Sequence, residues 1–285
     1  MKRILITGAS SGIGESCALY LAEKGHMVWA GVRRLEDGER LAHQAKGLLH
    51  PVLLDVTEGE SIARAARVIR EQASRLDGLV NNAGIAVAGP LEFLPLEELR
   101  RQLEVNVIGQ VAVTQAVLGM LRQGRGRIVN MSSISGRIAA PLFGPYSASK
   151  FALEAISDSL RRELKAWGIE VSVIEPGSIQ TPIWSKGVSR GRQLLEKLPP
   201  EAKALYGRAI EGQIRYVESV DGRSLPPIEV ARAVEHALTT PRPRTRYVVG
   251  RGARIGLLFA RFLPDRLLDE MILGGLVRRM YGRKA

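Results

Sequence analysis

The sequence predicts an α/β protein: a doubly wound parallel sheet of about seven strands with helices on both faces, followed by a C-terminal helical extension. Three observations carry that expectation. Short apolar runs alternate with segments of helical periodicity along most of the chain. The first run leads directly into a glycine-rich turn that opens a helix. The 285 residues are 45% hydrophobic, enough for one large core, and no repeat or low-complexity stretch interrupts the alternation. Parallel strands joined through helices need right-handed crossovers, which stack the helices onto the faces of one sheet.

Arg3–Thr7 (RILIT) is apolar and ends in glycine, as a buried parallel strand does. Gly8, Ala9, Ser10, Ser11, Gly12, Ile13 and Gly14 follow, then a helical pattern over Glu15–Lys24. The glycines allow a tight turn and bring free N–H groups at a helix N-terminus close to a pyrophosphate. The place of the turn, between strand and helix, strengthens a motif that is weak alone. Met27–Val32 is a second strand ending at Arg33 and Arg34. In a dinucleotide-binding fold that point faces the adenosine ribose, where an acid suits the 2′-hydroxyl of NAD and arginine suits the 2′-phosphate of NADP. NADP is therefore expected over NAD; the competing reading makes both arginines solvated loop charges. His50–Leu54 is a third strand, leading through Asp55, Val56 and Thr57 into a helix over Glu60–Ser74, with Thr57 as its N-cap.

Leu76–Val80 is a fourth strand, closed by Asn81, Asn82, Ala83 and Gly84, which suit a ligand crevice and equally an ordinary turn. A helix is expected over Leu96–Leu121, with Asn106 in its middle. Asparagine is a mediocre helix former, so Asn106 near Gly109 signals function or a bend. Arg127–Met131 is a fifth strand and runs into a stretch holding Ser133, Tyr146 and Lys150. With Pro145 opening a helix over Tyr146–Trp167, Tyr146 and Lys150 share one face a turn apart. A phenol titrates at about 10, and a neighbouring ammonium lowers that value toward useful acid–base work. Taken alone, the pair also fits a solvated helix face. Ile169–Ile174 is a sixth strand, followed by Pro176, Gly177 and Thr181, and Tyr247–Val249 is the last, at the sheet edge.

Composition excludes several classes. The lone Cys17 allows no internal disulfide, and the four histidines have no ligand spacing, so no metal site is expected. The apolar run at the N-terminus is too short for a signal peptide, and no stretch reads as a membrane span, so a cytoplasmic protein is expected. The net charge of +12 is uneven: residues 186–285 hold 20 Lys+Arg against 10 Asp+Glu, and the first 185 hold 21 against 19. No basic helix or aromatic platform accompanies that charge in the manner of a nucleic-acid binder, so no nucleic-acid partner is expected.

TGASSGIG, NNAG, Asn106, Ser133 with Tyr146 after it, YSASK and the Pro-Gly pair stand in an order that resembles the short-chain dehydrogenase/reductase family, short-subunit branch, over about residues 4–181. The resemblance implies a Rossmann-type fold and an NADP(H)-dependent oxidoreductase that interconverts an alcohol with a ketone or aldehyde. It implies Tyr146 as acid in reduction and base in oxidation, and Lys150 as ligand of the nicotinamide ribose that lowers the Tyr146 pKa. Ser133 would hydrogen-bond the reacting oxygen, and Asn106 would anchor a water in a proton relay. Gly8, Ser10, Gly12, Ile13 and Gly14, with Ser11 among them, would surround pyrophosphate and ribose. Asp55 and Val56 would border the adenine, and Asn82, Ala83 and Gly84 the cofactor floor. Pro176, Gly177, Ile179 and Thr181 would position the carboxamide. One departure stands out: Ser11 occupies a place where NADP-using relatives often carry a base, so NADP rests on Arg33 and Arg34. A homodimer or homotetramer through the Leu96–Leu121 and Tyr146–Trp167 helices is also implied. The alternative function is a non-catalytic dinucleotide-binding sensor or scaffold, a class that typically loses the Tyr or Lys retained here.

Residues 1–250 are expected to form the catalytic domain, with 183–227 as a substrate lid and 251–285 as the extension. Trp184, Leu194, Leu195, Leu198, Leu205, Tyr206, Ile210, Ile214 and Tyr216, with Leu142 and Phe143, suggest a bulky hydrophobic substrate; packing of the lid onto the domain would use the same residues. The tail carries Leu268, Met271, Ile272, Gly275 and Leu276 at helical spacing among arginines. Such a helix suits peripheral contact with an anionic membrane, and equally docking on its own domain or a second subunit. Similar extensions occur in relatives that resemble retinol and 17β-hydroxysteroid dehydrogenases, which supports a lipophilic substrate.

Overall fold

The computed structural model describes residues 1–221 and 224–281. The first half runs β1 (Arg3–Ile6), α1 (Gly12–Glu23), β2 (Met27–Val32), α2 (Leu35–Gln44), β3 (Leu49–Leu53), α3 (Gly59–Gln72) and β4 (Gly78–Asn81). It continues with α4 (Leu96–Leu103), α5 (Gly109–Gly124), β5 (Arg127–Met131), α6 (Gly144–Glu163) and β6 (Glu170–Pro176). The remainder comprises α7 (Pro182–Lys197), α8 (Pro200–Asp221), α9 (Ile228–Thr239), β7 (Arg246–Val249), α10 (Arg251–Phe262) and α11 (Asp265–Tyr281). The seven strands form one sheet in the order β3-β2-β1-β4-β5-β6-β7, and every pairing is parallel.

Strand alternation feeds two cores. Ile4 and Ile6, Val28 and Ala30, Val80 and Val129 point to one face, where Cys17 and Leu21 of α1, Leu41 of α2 and Val230, Val234 and Leu238 of α9 cover them. Leu5, Trp29, Leu79 and Ile128 point to the other, against Ile62 and Ile69 of α3 and Val113, Val117 and Leu121 of α5. Burial on both faces is why the strands read as continuous apolar runs. The helices α2 and α9 escaped the sequence reading. The first has a polar outer face and buries little beyond Gly38 and Leu41, and the second follows the lid without a strong stop signal.

Two local expectations need correction. Thr57 does not cap α3: the N-cap is Glu58 without a side-chain bond, and Asp55 Oδ1 instead accepts the Thr57 N–H at 2.9 Å and hydroxyl at 2.7 Å. The Thr57 hydroxyl is turned back to that carboxylate, and the helix begins two residues later, at Gly59. The helix expected over Leu96–Leu121 is continuous from Leu96 to Gly124, but Glu104–Ile108 forms a π turn with Asn106 at its centre. Among the described residues this run alone is long and apolar enough to pass for a membrane span. Val113, Val117, Met120 and Leu121 account for that character, because all are buried in the core.

The C-terminal helices lie against the domain: α10 packs on β7, and α11 on α8. Leu268 and Ile272 are half-buried and Met271 is exposed, whereas the burial of Gly275 and Leu276, like residues 282–285, lies outside what is described. At the sheet edge Arg246 of β7 reaches Glu154 Oε2 at 3.0 Å, Asp158 Oδ2 at 3.2 Å and Glu175 Oε1 at 3.4 Å, joining β7 to α6 and β6. Glu154 and Glu175 are buried, so removing the shared cation strands Glu154 and leaves Glu175 to Arg137 alone. Arg246→Leu is expected to lower the unfolding free energy by about 3–5 kcal/mol in chemical denaturation. By contrast, Arg232→Leu, which breaks an exposed pair with Glu229, should cost under about 1 kcal/mol.

Candidate active site

Strand order reverses direction between β1 and β4, and a crevice at their carboxyl ends is the expected ligand position in such a sheet. The Thr7 hydroxyl accepts the N–H of Asn82 at 3.0 Å and of Ala83 at 2.9 Å, while Asn82 Nδ2 donates to the carbonyls of Thr7 and Gly8, each at 3.0 Å. Asn82 thus braces the glycine turn from the neighbouring strand. Gly8 has φ +64° and a side chain there would sit 2.7 Å from Ala83 Cα, so only glycine fits. A methyl at Gly14 would run into the Gly8 carbonyl and the Asn82 amide. The helix α1 starts at Gly12, earlier than the periodicity indicates, and its N-cap Ser11 makes no side-chain capping bond. The first-turn N–H groups, with the helix dipole behind them, suit a phosphate. Arg40 of α2, which the sequence reading missed, donates to the Ser10 carbonyl at 2.9 Å and pairs with Glu15 at 2.5 Å.

At the end of β2, Arg33 and Arg34 are exposed. Arg34 holds Asp37 through Nε at 3.0 Å and Nη2 at 3.1 Å, whereas Arg33 enters no ion pair among the described residues. On the far side, Thr181 packs against Gly12, Gly177 N–H bonds the Val249 carbonyl at 3.0 Å, and Ile179 is buried beside Leu225. Pro176 ends β6 and Val56 lies behind Gly109. Ile13 is half-buried on the first core, and Gly84 lies against Asn106. The glycine turn thus adjoins the NNAG segment through Asn82 and, at Gly12, Thr181 just past the Pro-Gly pair.

Ser133, Tyr146 and Lys150 come together behind that crevice. Tyr146 and Lys150 are only 6% and 4% exposed, because α6 turns this face onto β5. Ser133 Oγ accepts the Ser135 N–H at 3.1 Å, leaving its own hydrogen for the Tyr146 phenol. Lys150 Nζ donates to the Met131 carbonyl at 2.7 Å and lies 5.7 Å from the centre of the Tyr146 ring. Burial pushes the phenol above its ordinary value, and the Ser133 hydrogen bond offsets part of that rise. The protein's own groups thus do not bring Tyr146 below its ordinary value, contrary to what Lys150's position alone implies. Burial also brings the Lys150 ammonium down to about 8, against the opposing pull of Glu154.

A rail of buried amides holds the opposite wall. Asn106 Oδ1 accepts the Ile85 N–H at 2.9 Å, and its Nδ2 donates to the Ile85 carbonyl at 3.0 Å and to Ser149 Oγ at 3.1 Å. Gln102 grips Val87 N–H at 2.7 Å and the Ile85 carbonyl at 2.9 Å, and Ser149 Oγ closes the circuit on the Tyr146 carbonyl at 2.7 Å. The π turn exists where Asn106 is turned inward, which explains an asparagine in mid-helix. Gln102 and Ser149 were not legible as site residues; a buried glutamine one helical turn before Asn106 was the available signal.

Beyond Ile85 the chain borders an open apolar cleft lined by Ala86, Ala88, Leu142, Phe143, Val188, Ile210, Ile214 and Val217, with Gln213 as its one polar lining side chain among the described residues. Of the expected lid residues, Ile210 and Ile214 line it with Leu142 and Phe143. Leu195, Leu198 and Tyr206 join Ile210, Ile214, Leu142 and Phe93 in one packed cluster, Leu205 is exposed and Tyr216 half-buried, and the side chains of Trp184 and Leu194 lie outside those described. Leu142 holds φ +67°, a strained conformation for a large side chain, and its carbonyl accepts the Gly89 N–H at 2.7 Å.

The chain is similar to known proteins in both sequence and fold. The family model described as short chain dehydrogenase matches residues 2–190. Retinol dehydrogenase 5 of Mus musculus is 40% identical over 277 residues, covering 94% of this chain and 87% of its own. The NADPH-dependent 3-dehydrocapnine reductase of Ornithobacterium rhinotracheale is 37% identical, covering 95% and 96%. Among solved structures, a short-chain dehydrogenase from Streptomyces avermitilis superposes with a TM-score of 0.76 at 28% identity, covering 98% of this chain and 97% of its own.

The buried lysine carries a stability cost with a defined sign. Its folded pKa of about 8 lies below the ordinary 10.5, so between these values the unfolded chain binds a proton that the folded one lacks, and stability rises with pH. At pH 7 the cost is roughly 3 kcal/mol, less what an unpaired Met131 carbonyl would forfeit. In denaturant titrations Lys150→Met should therefore be more stable than the parent at pH 7, with the gap closing from pH 8 to 10.5.

Proposed function

The chain belongs to the short-chain dehydrogenase/reductase family and is an oxidoreductase of alcohol and carbonyl groups; from that premise we propose an NADP(H)-dependent enzyme that acts on a bulky hydrophobic substrate with Tyr146 as acid and base. The observation that carries this reading is the buried Ser133–Tyr146–Lys150 group beside an uncapped helix N-terminus at the sheet's switch point.

When bound, the nicotinamide cofactor supplies or takes up the hydride. The protein's part is to hold the substrate and manage its proton. Ser133 donates to the reacting oxygen, and Tyr146 delivers the phenolic proton in reduction or removes the hydroxyl proton in oxidation, so charge does not accumulate on that oxygen. Lys150, as a cation, stabilises the phenolate and binds the nicotinamide ribose. Asn106 anchors a relay water from its place in the π turn. Gly8, Ser10, Ser11, Gly12, Ile13 and Gly14 hold the pyrophosphate, Asp55, Val56, Asn82, Ala83 and Gly84 line the nucleoside, and Pro176, Gly177, Ile179 and Thr181 the carboxamide.

Arg33 and Arg34 at the end of β2 support NADP, as does the NADPH named for the capnine relative. The apolar cleft beside Phe143 supports a hydrophobic substrate, in line with the retinol named for the mammalian relatives. Exposed Leu96, Ile108 and Phe151 on the α4–α5 and α6 surfaces suit a homodimer or homotetramer. Residues 1–250 serve as the catalytic domain with 183–227 as its lid. Ile255, Leu258, Phe259 and Phe262 form an exposed apolar stripe along α10, a helix with arginines and no acid, which suits peripheral contact with an anionic membrane.

Tyr146→Phe is expected to cut turnover by at least about 10²-fold while cofactor still quenches tryptophan fluorescence; full activity in that variant would overturn the assignment. Turnover is read on a panel of all-trans-retinol, a long-chain alcohol and a hydroxysteroid, with NADP and NAD in parallel. In the same panel, replacing Arg33 and Arg34 together by Ala should raise the KM for NADP and leave that for NAD nearly unchanged.

A further inference from the structure

Tyr146, Lys150 and Glu154 follow one another a turn apart along the inner face of α6. The proposed chemistry uses the first two; Glu154 is just as buried and has no part in it. Its two oxygens differ. Oε2 accepts from Arg246 Nε at 3.0 Å, whereas Oε1 is buried with no hydrogen-bond partner among the described residues. A buried acceptor left unpaired is costly, and an apolar residue would pack on the sheet without that cost.

The groups around Lys150 suggest what the carboxylate does. The end of β5 offers the Met131 carbonyl and the Ser133 hydroxyl, and the π turn offers Asn106 through Ser149, all neutral. The charged groups of β6, β7 and the turn after Ser133, namely Glu175, Arg246 and Arg137, are tied to one another and to Glu154 on its far side: Arg137 pairs with Glu175 at 3.2 Å and Arg246 with both acids. Asp158, further along α6, is bound by Arg246 and by Arg161 at 3.4 Å. Among these, Glu154 is the anion that stands one helical turn from Lys150 on the same buried face, without closing to an ion pair with it, and a negative charge there favours the ammonium.

The geometry points to Glu154 as a positioning residue of the site: its carboxylate, fixed by Arg246, holds Lys150 in the cationic form that proton transfer at Tyr146 requires, and so sets the alkaline limit of activity. The inference rests on the role given to Lys150 above. Burial drives the ammonium toward its neutral form, and a fixed anion one helical turn away opposes that drive without occupying the face that Lys150 presents to the crevice. Arg246 contributes by immobilising the carboxylate. Because Arg246 keeps Asp158 and Glu175 as partners, Glu154→Gln conserves shape and leaves the edge of the sheet pinned.

The test pairs a pH profile with a direct titration. In Glu154→Gln the alkaline limb of kcat/KM, measured with NADP and the most active alcohol of the panel, should move about one unit toward acid, and Glu154→Asp should restore it in part. The ε-carbon signal of Lys150 in ¹³C-lysine-labelled enzyme, identified by its loss in Lys150→Met, should titrate lower by a similar amount in Glu154→Gln. Thermal melts followed by circular dichroism check that each variant is folded. A Lys150 titration unchanged in both folded Glu154 variants would overturn the inference. A titration that moves while the limb stays would overturn the link to activity. Parental turnover in Lys150→Met would instead overturn the site reading on which the inference stands.

Discussion

The side-chain amide of Asn82, clasping the carbonyls of Thr7 and Gly8, is the contact on which the site's geometry depends. A doubly wound sheet separates at its switch point, where neighbouring strands send their loops to opposite faces. Left alone, that divergence gives a gap whose walls have no fixed spacing. The Asn82 amide and the Thr7 hydroxyl cross-link the two strand ends, and the tight fit of Gly8 and Gly14 leaves no freedom between them. The N-terminus of α1, the NNAG turn and, through Gln110 on the Ala83 carbonyl at 2.8 Å, the start of α5 are positioned from that one knot.

Buried polarity continues outward from it in layers. Asn81 bonds Thr114 and Asn130, and Asn130 bonds Ser157, so a chain of amides and hydroxyls links β4, β5, α5 and α6 through the middle of the protein. Such groups are costly unless paired, and most of them are. Lys150, Glu154 and Glu175 are the exceptions in kind, being charged and buried together. Stability is given up there to hold charges at fixed distances, which an apolar core cannot do.

The sequence revealed most where local chemistry dictates geometry. Strand positions, the glycine turn, the buried tyrosine–lysine face and the order of motifs were legible because each depends on residues close in the chain. What escaped depends on distant partners. Arg40 matters because α2 folds back over the Ser10 carbonyl, and nothing around Arg40 in sequence announces it. Gln102 and Ser149 acquire meaning only when α4 and α6 meet across the Ile85 loop. The Thr57 cap failed for the opposite reason, since a nearer residue, Asp55, had already closed the turn. In the lid, Ile210 and Ile214 border the cleft and also join the packed cluster that holds Leu195, Leu198 and Tyr206, so the same residues serve both readings.

The π turn over Glu104–Ile108 has a topological side as well. One surplus residue is absorbed there, and each helical residue advances the chain by about 100°. The inner faces of α4 and α5 are aligned with the sheet only because that surplus offsets their phase. Gln102 lies before it, Gln110 and Thr114 after it, and all three are buried. A single deletion in this stretch would yield a more regular helix that dials every later side chain away from its partner. In this segment the length of the chain, as much as its chemistry, encodes the site.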